Sequence, residues 1–159
     1  MIKVLFVCLG NICRSPLAQG VFEKKASERG WESLVYADSA GVSGWHQGAK
    51  PHNGSISVAM ENGVSIENQR SRIVVSLDHK EFDYIIAMDD SNLNSLLHEF
   101  GMDEKKVYRM RSFSAQKDDL NVPDPYGQGN SSFQLVYNIL DESMDSFMDF
   151  LKKNHSSLS

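Results

Sequence analysis

The sequence predicts a single α/β domain: a four-stranded parallel sheet flanked by helices, with a phosphate-binding loop after the first strand. Three observations lead there. Short apolar runs alternate with segments of helical spacing, the order that builds parallel sheets covered by helices on both faces. The chain has 159 residues, 41% of them hydrophobic, which leaves room for one sizeable core but not two. The first apolar run ends in a glycine-containing turn that opens a helix.

Taken in order, residues 3–8 read as a central strand, apolar after Lys3 and carrying two valines. Ser15 offers a capping hydroxyl and Pro16 a first helical position, after which Leu17, Val21 and Phe22 keep helical spacing as far as Gly30. Residues 34–37 form a second strand, and residues 56–62 a helix stopped by Gly63. Residues 83–88 form a third strand, 91–100 a helix stopped by Gly101, and 107–110 a short fourth strand. A last helix over 131–153 puts Phe133, Val136, Leu140, Met144, Phe147 and Leu151 on one face and most of its acidic residues on the other. Segments 39–52 and 111–130 have no regular period and are long enough to be functional loops.

Sixteen Lys and Arg against twenty-one Asp and Glu leave a formal net charge of −5, without the basic stripe that nucleic acid or an anionic membrane surface requires. Any anionic ligand must be held by local geometry. Five His and two Cys are too scattered for a structural zinc site, so neither metal nor cofactor is expected. No stretch approaches the roughly 20 apolar residues of a membrane span. Residues 4–9 are too short for a secretory core. These features read as a cytoplasmic protein, where thiols stay reduced and a conspicuous cysteine is catalytic rather than bridged.

Ligands of open α/β sheets bind beyond the carboxyl ends of the strands, where Cys8-Leu9-Gly10-Asn11-Ile12-Cys13-Arg14-Ser15 stands. A short loop feeding a helix N-terminus turns backbone N–H groups inward and forms an anion nest reinforced by the helix dipole. A phosphate-sized dianion fits that field, which also favours the nucleophilic thiolate form of Cys8. Arg14 adds a fork of donors for two phosphoryl oxygens. Singly, these residues are ordinary. A lone cysteine is usually a small buried hydrophobe. Asp124 before Pro125 is a turn former, Asp89 a helix cap, and the five histidines form no constellation.

Cys-x5-Arg followed by Ser-Pro, within Val7-Cys8-Leu9-Gly10-Asn11-Ile12-Cys13-Arg14-Ser15-Pro16, resembles the active-site loop of the low-molecular-weight protein tyrosine phosphatases. The resemblance continues through Asp38-Ser39-Ala40-Gly41, Phe82-Asp83-Tyr84-Ile85, Met88-Asp89-Asp90-Ser91-Asn92-Leu93 and Asp124-Pro125-Tyr126, nearly the whole chain. It implies one phosphatase domain over residues 1–159, independent of metal and cofactor. Its substrates would be phosphotyrosine proteins or peptides and small aryl phosphates, its product inorganic phosphate, and its state a monomer or weak homodimer. Cys8 would attack phosphorus to form a phosphocysteine. The amides of Leu9, Gly10, Asn11, Ile12 and Cys13, with the Arg14 guanidinium, would bind the equatorial oxygens. Asp124 would protonate the leaving oxygen, which matters for a phenol whose pKa is about 10, and then activate water. Ser15 would hydrogen-bond the thiolate, Asn11 and Ser39 would brace the loop, and Ile12, Trp45 and Tyr126 would wall a deep slot. In related arginine phosphatases a threonine resembles the position of Ile12, so the isoleucine implies phosphotyrosine. The family's second loop cysteine, here Cys13, can pair reversibly with the nucleophile under oxidation.

Two departures stand out. Gly127 follows Tyr126 where the family commonly has a second aromatic, which leaves one wall missing or mobile. Asn68-Gln69-Arg70-Ser71-Arg72 stands where the family usually carries a His, so that residue's part in the loop network is absent and peptide preference is expected to be unusual. Other functions fit less well. An arsenate reductase on this fold needs resolving cysteines near residues 80–90, and none exists. A phosphotyrosine-binding or redox-sensing module needs neither nucleophile nor acid. A nucleotide site lacks both Gly-x-Gly-x-x-Gly and a Walker lysine.

Overall fold

In the computed structural model, which describes residues 1–159, strand β1 (Ile2–Cys8) occupies the middle of the sheet because both of its faces are apolar. Ile2, Val4, Phe6 and Cys8 point into the larger core, while Leu5 and Val7 point into a second, smaller one. β1 pairs in parallel with β2 (Val35–Gly41) on one side and β3 (Tyr84–Ala87) on the other, and β3 pairs with β4 (Val107–Arg109). The sheet order is β2-β1-β3-β4, the four-stranded parallel architecture that the alternating pattern predicts.

Helix α1 (Arg14–Glu28) and the long α5 (Asn130–Asn154) cover the first face. Their apolar stripes meet Phe6 through a run of rings, Phe6 to Phe22 at 5.6 Å and Phe22 to Phe147 at 6.1 Å between centroids. α2 (Asn53–Glu61) packs against both α1 and α5. The opposite face is covered by α4 (Asp90–Asn94), which runs on as a π-helical turn (Ser95–Glu99) that buries Leu96. No helix is long and apolar enough to cross a membrane.

Several boundaries differ from the sequence reading, each for a local reason. β2 continues through Ser39 to Gly41 because its register with β1 runs to Cys8↔Gly41, although Ser-Ala-Gly carries no apolar signal. α1 begins at Arg14, so Cys13 and not Ser15 is the N-cap residue, and the Ser15 hydroxyl is used elsewhere. α2 starts at Asn53, where the His52 ring nitrogen accepts the Gly54 N–H at 2.9 Å. A four-residue helix, α3 (Asp78–Glu81), and a 3-10 turn (Met110–Phe113) are too short to leave a periodic trace.

Gly20 lies inside α1, where a Cβ would sit 2.5 Å from Ile66 Cγ2 and 2.7 Å from Val64 Cγ1. Alanine improves helix propensity by about 1 kcal/mol, but β-branched neighbours are stiff at χ1 and cannot swing aside. Gly20→Ala is therefore expected to lower the unfolding free energy by about 1–3 kcal/mol, as overpacking does. Urea denaturation checks this, and an unchanged or raised midpoint would contradict the packing.

Candidate active site

β1 ends at Cys8 and α1 begins at Arg14, so Leu9 to Cys13 alone must turn the chain. Nearly every carbonyl of this turn is held from outside. Cys8 O accepts from Val42 N (3.0 Å), Leu9 O from Ser43 N (2.9 Å), and Ile12 O from His52 N (2.7 Å). Gly10 O accepts from Ser71 Oγ and Cys13 O from Ser55 Oγ, both at 2.9 Å. None of the N–H groups of Leu9, Gly10, Asn11, Ile12 or Cys13 donates to a protein acceptor. Carbonyls drawn outward and amides left free make an anion nest at a helix N-terminus. The loop lines a cavity of about 100 Å³ together with Arg14, Ser43, Trp45, His46, Asp124 and Tyr126.

Asn11 makes the turn possible. Its φ of +56° lies in the left-handed region, which asparagine tolerates better than most residues. Its buried amide is oriented without ambiguity: Oδ1 accepts from the Arg72 backbone N–H (3.0 Å), so Nδ2 must face Ser15 Oγ (2.8 Å) and Ser39 Oγ (2.9 Å). Because the Ser15 oxygen accepts from Asn11, its own proton is free for Cys8 Sγ at 3.0 Å, closer than the alternative Ala40 O at 3.5 Å. The Ser15 hydroxyl and the Cys8 sulfur are thus hydrogen-bonded, and towards a sulfur anion the hydroxyl would be the donor. Gly41, at the end of β2, lets the loop lie against the sheet, since a Cβ there would meet Leu9 O at 2.8 Å and Gly10 C at 3.0 Å.

The chain around residues 69–73 runs beside Gly41, with Gly41 N donating to Arg72 O at 2.8 Å, and so brings Gln69, Ser71 and Arg72 to the loop. Ser39 Oγ donates to Gln69 Oε1 (3.4 Å), and Gln69 Nε2 donates to Pro16 O (3.0 Å). The bracing position left without its histidine is thus taken by a glutamine amide, which corrects the expectation of a gap.

Arg14 is 2% exposed. Its Nη1 donates to Asp89 Oδ2 (2.7 Å) and Val122 O (2.9 Å), and its Nη2 lies 3.7 Å from Asp124 Oδ2. Burial opposes its charge, but Cys8, Asp89 and Asp124 outweigh that and push its pKa up. Asp89 is therefore more than the helix cap expected from sequence: Oδ1 does cap α4 by accepting from Asn92 N (2.8 Å), while Oδ2 holds Arg14. Asp124 faces the cavity from the far wall, its side chain 43% exposed, with Oδ1 accepting from Tyr126 N at 3.1 Å.

Ile12 is buried in the cavity wall, whereas Trp45 at 83% and Tyr126 at 54% exposure stand at the rim and enclose nothing deep. Two histidine rings touch Tyr126, of which His46 also lines the cavity. The His46 ring rests on Gly10, where a Cβ would approach its Cδ2 to 2.9 Å, and lies 6.0 Å from the Tyr126 ring. His52 stacks on Phe133 at 4.9 Å and meets Tyr126 edge-on at 5.8 Å. They supply rings beside Tyr126 where Gly127, at φ +76°, supplies none. Segment 42–52 has no period, so nothing in the sequence marked them.

An open parallel sheet with an amide cradle beyond its central strand, a cysteine on the floor and an arginine and a carboxylate on the walls defines an α/β phosphatase. The family model for low molecular weight phosphotyrosine protein phosphatases matches residues 3–157, and the chain belongs to that family, the protein-tyrosine-phosphatase class of hydrolases. It is 40% identical over 154 residues to the low molecular weight protein-tyrosine-phosphatase YfkJ of Bacillus subtilis, covering 96% of this chain and 97% of that one. It is 35% identical to PtpA of Staphylococcus haemolyticus, covering 97% and 96%. Among solved structures it superposes on YfkJ with a TM-score of 0.91 at 38% identity (97% and 96% covered). A protein tyrosine phosphatase of Entamoeba histolytica with Hepes in its active site follows at 0.90 and 35% (97% and 99%). A Drosophila arginine phosphatase superposes at 0.88 and 33% (95% and 98%).

Both loop cysteines are free thiols. Burial above all, with Cys8 and Asp124 adding to it and Arg14 opposing, pushes the Cys13 thiol up to about 12. The folded chain thus holds this proton more tightly than the unfolded one. The resulting stabilisation is complete below about pH 9 and is lost as pH rises towards about 12. Cys13→Ala is expected to flatten the alkaline fall in unfolding free energy across that window. A variant whose denaturation curves fall as steeply as those of the wild type would contradict this.

Proposed function

We propose that this chain, one catalytic domain over residues 1–159, hydrolyses phosphotyrosine in proteins or peptides, and small aryl phosphates, through a phosphocysteine intermediate. The observation that carries the reading is the cysteine lying beneath acceptor-free amides with a carboxylate opposite. In the first step the Cys8 thiolate sulfur forms a bond to phosphorus, the bond from phosphorus to the tyrosine oxygen breaks, and Asp124 gives its proton to that oxygen. In the second, water loses a proton to Asp124 and attacks phosphorus, the S–P bond breaks, and inorganic phosphate leaves. The amides of Leu9, Gly10, Asn11, Ile12 and Cys13 and the guanidinium of Arg14 hold the equatorial oxygens, where charge concentrates in both steps. Ser15 donates to the sulfur, and Asn11 and Ser39 keep Ser15 in place.

Ile12, Trp45 and Tyr126 receive the aromatic ring of the substrate. Ile12 in place of a threonine supports phosphotyrosine over phosphoarginine, although an arginine phosphatase shares the fold. The enzyme acts as a monomer or weak homodimer in the cytoplasm, where a catalytic thiol stays reduced.

The test compares wild type, Cys8→Ser and Asp124→Ala on a phosphotyrosine peptide and on 4-nitrophenyl phosphate, whose leaving group departs without help. Cys8→Ser should abolish both activities. Asp124→Ala should lose about 10²–10⁴-fold on phosphotyrosine, the usual range for acid catalysis, and much less on the nitrophenyl ester. Equal losses on the two substrates would remove Asp124 from the acid role, and a preference for phosphoarginine peptide would remove the argument from Ile12.

A further inference from the structure

We propose that Asn121 is a positioning residue that sets the reach of Asp124, an inference resting on the acid/base reading of Asp124 given above. The segment is Asn121-Val122-Pro123-Asp124-Pro125. Each proline fixes its own φ and confines the residue before it to extended conformations, so Val122 and Asp124 are restricted as well. From Val122 to Pro125 the backbone is a stiff arm, and the place of the Asp124 carboxylate follows from how the root of the arm is held.

The root is held at two successive residues. Val122 is fully buried, its N–H donating to Met88 O (2.8 Å) and its carbonyl accepting from Arg14 Nη1 (2.9 Å). Asn121 fixes the direction: its Oδ1 accepts from the Asp90 backbone N–H (2.7 Å), its Nδ2 reaches Asp90 Oδ2 (3.5 Å), and its carbonyl accepts from Arg111 Nη1 (2.9 Å). Asp90 is tied in turn to β4 by an ion pair with Arg109. Beyond the arm, Tyr126 is exposed and Gly127 takes a left-handed turn, and Gln128 N–H bonds only back to Pro125 O. Pro125 is buried and Tyr126 leans on the His46 and His52 rings, but the arm's backbone hydrogen bonds to the rest of the fold all lie at its root.

The anchor also defines what the arm is measured against. Asp89 holds Arg14 and the next residue, Asp90, holds Asn121, so one corner of α4 refers the acid arm to the phosphate-binding arginine. Asp124 Oδ2 comes to 3.7 Å from Arg14 Nη2 under this constraint. Removing the Asn121 side chain leaves the Val122 anchors intact, so the arm stays attached but turns about its root.

The experiment measures kcat and KM of Asn121→Ala on a phosphotyrosine peptide and on 4-nitrophenyl phosphate, beside Asp124→Ala and the double variant. A misplaced acid should lower kcat on phosphotyrosine about 10- to 100-fold, leave KM within about twofold, and scarcely touch the nitrophenyl ester. In the double variant Asn121→Ala should add no further loss on phosphotyrosine. Equal losses on the two substrates, no loss on either, or additive losses in the double variant would overturn the assignment. If Asp124→Ala itself shows no dependence on the leaving group, the acid reading fails. If Asp124→Ala shows that dependence and Asn121→Ala does not, only the positioning role fails.

Discussion

The carbonyls on either side of the Cys8 turn face outward because donors wait for them there: two backbone amides just after β2, two serine hydroxyls, and the N–H of His52 before α2. Peptide planarity then leaves the amides facing the cavity, since each peptide unit points its N–H opposite to its carbonyl. An N–H without a partner in a concave site costs stability, and an anion that takes several at once recovers it. The way the loop is tethered thus leaves a ring of amides suited to an anion. A chain with net charge −5 can hold a dianion because the field is local.

The tethers come from far apart in sequence, which makes the cradle a property of the whole fold. β2 must run in register to Gly41 for Val42 and Ser43 to reach Cys8 and Leu9, and Gly41 must lack a Cβ for the loop to approach. Residues 69–73 must lie beside Gly41 for Arg72 to orient Asn11, and Asn11 in turn holds the Ser15 hydroxyl that meets the sulfur. Asn11, Ser15 and Ser39 in that series are buried polar groups that satisfy one another, and this is how buried networks confer directionality.

What the sequence disclosed follows the same division. Cys8 to Ser15 are contiguous and end an apolar run, so the cradle could be read from spacing and the strand-to-helix turn. The strands and the amphipathic last helix were legible from their periods. Asp124 was legible only through resemblance, because Asp-Pro by itself marks a turn. Asp89 as the partner of Arg14, Gln69 as the brace of Ser39, and His46 and His52 beside Tyr126 had no local signal. Their contacts join residues dozens of positions apart in the chain. From its place before proline at a helix start Ser15 reads as a cap, and only the resemblance made it a partner of the sulfur; in the fold Cys13 is the N-cap residue and the Ser15 hydroxyl meets both Asn11 Nδ2 and Cys8 Sγ.

The two loop sulfurs illustrate how the same side chain takes different roles a few residues apart. Cys13 packs in the core, and its carbonyl, not its sulfur, is the group that Ser55 engages. Burial above all, with Cys8 and Asp124 adding to it, holds its proton in place to about pH 12, so it adds no charge to the cradle. Cys8 also belongs to the core face of β1, yet its sulfur shares a hydrogen bond with the Ser15 hydroxyl, which Asn11 also holds. A negative charge on Cys13, near Asp124, would compete with an incoming anion for Arg14, the one guanidinium lining the cavity. With Cys13 neutral, that fork gives Nη1 to Asp89 and Val122 O, has Nη2 3.7 Å from Asp124 Oδ2 and leaves Nε without a partner.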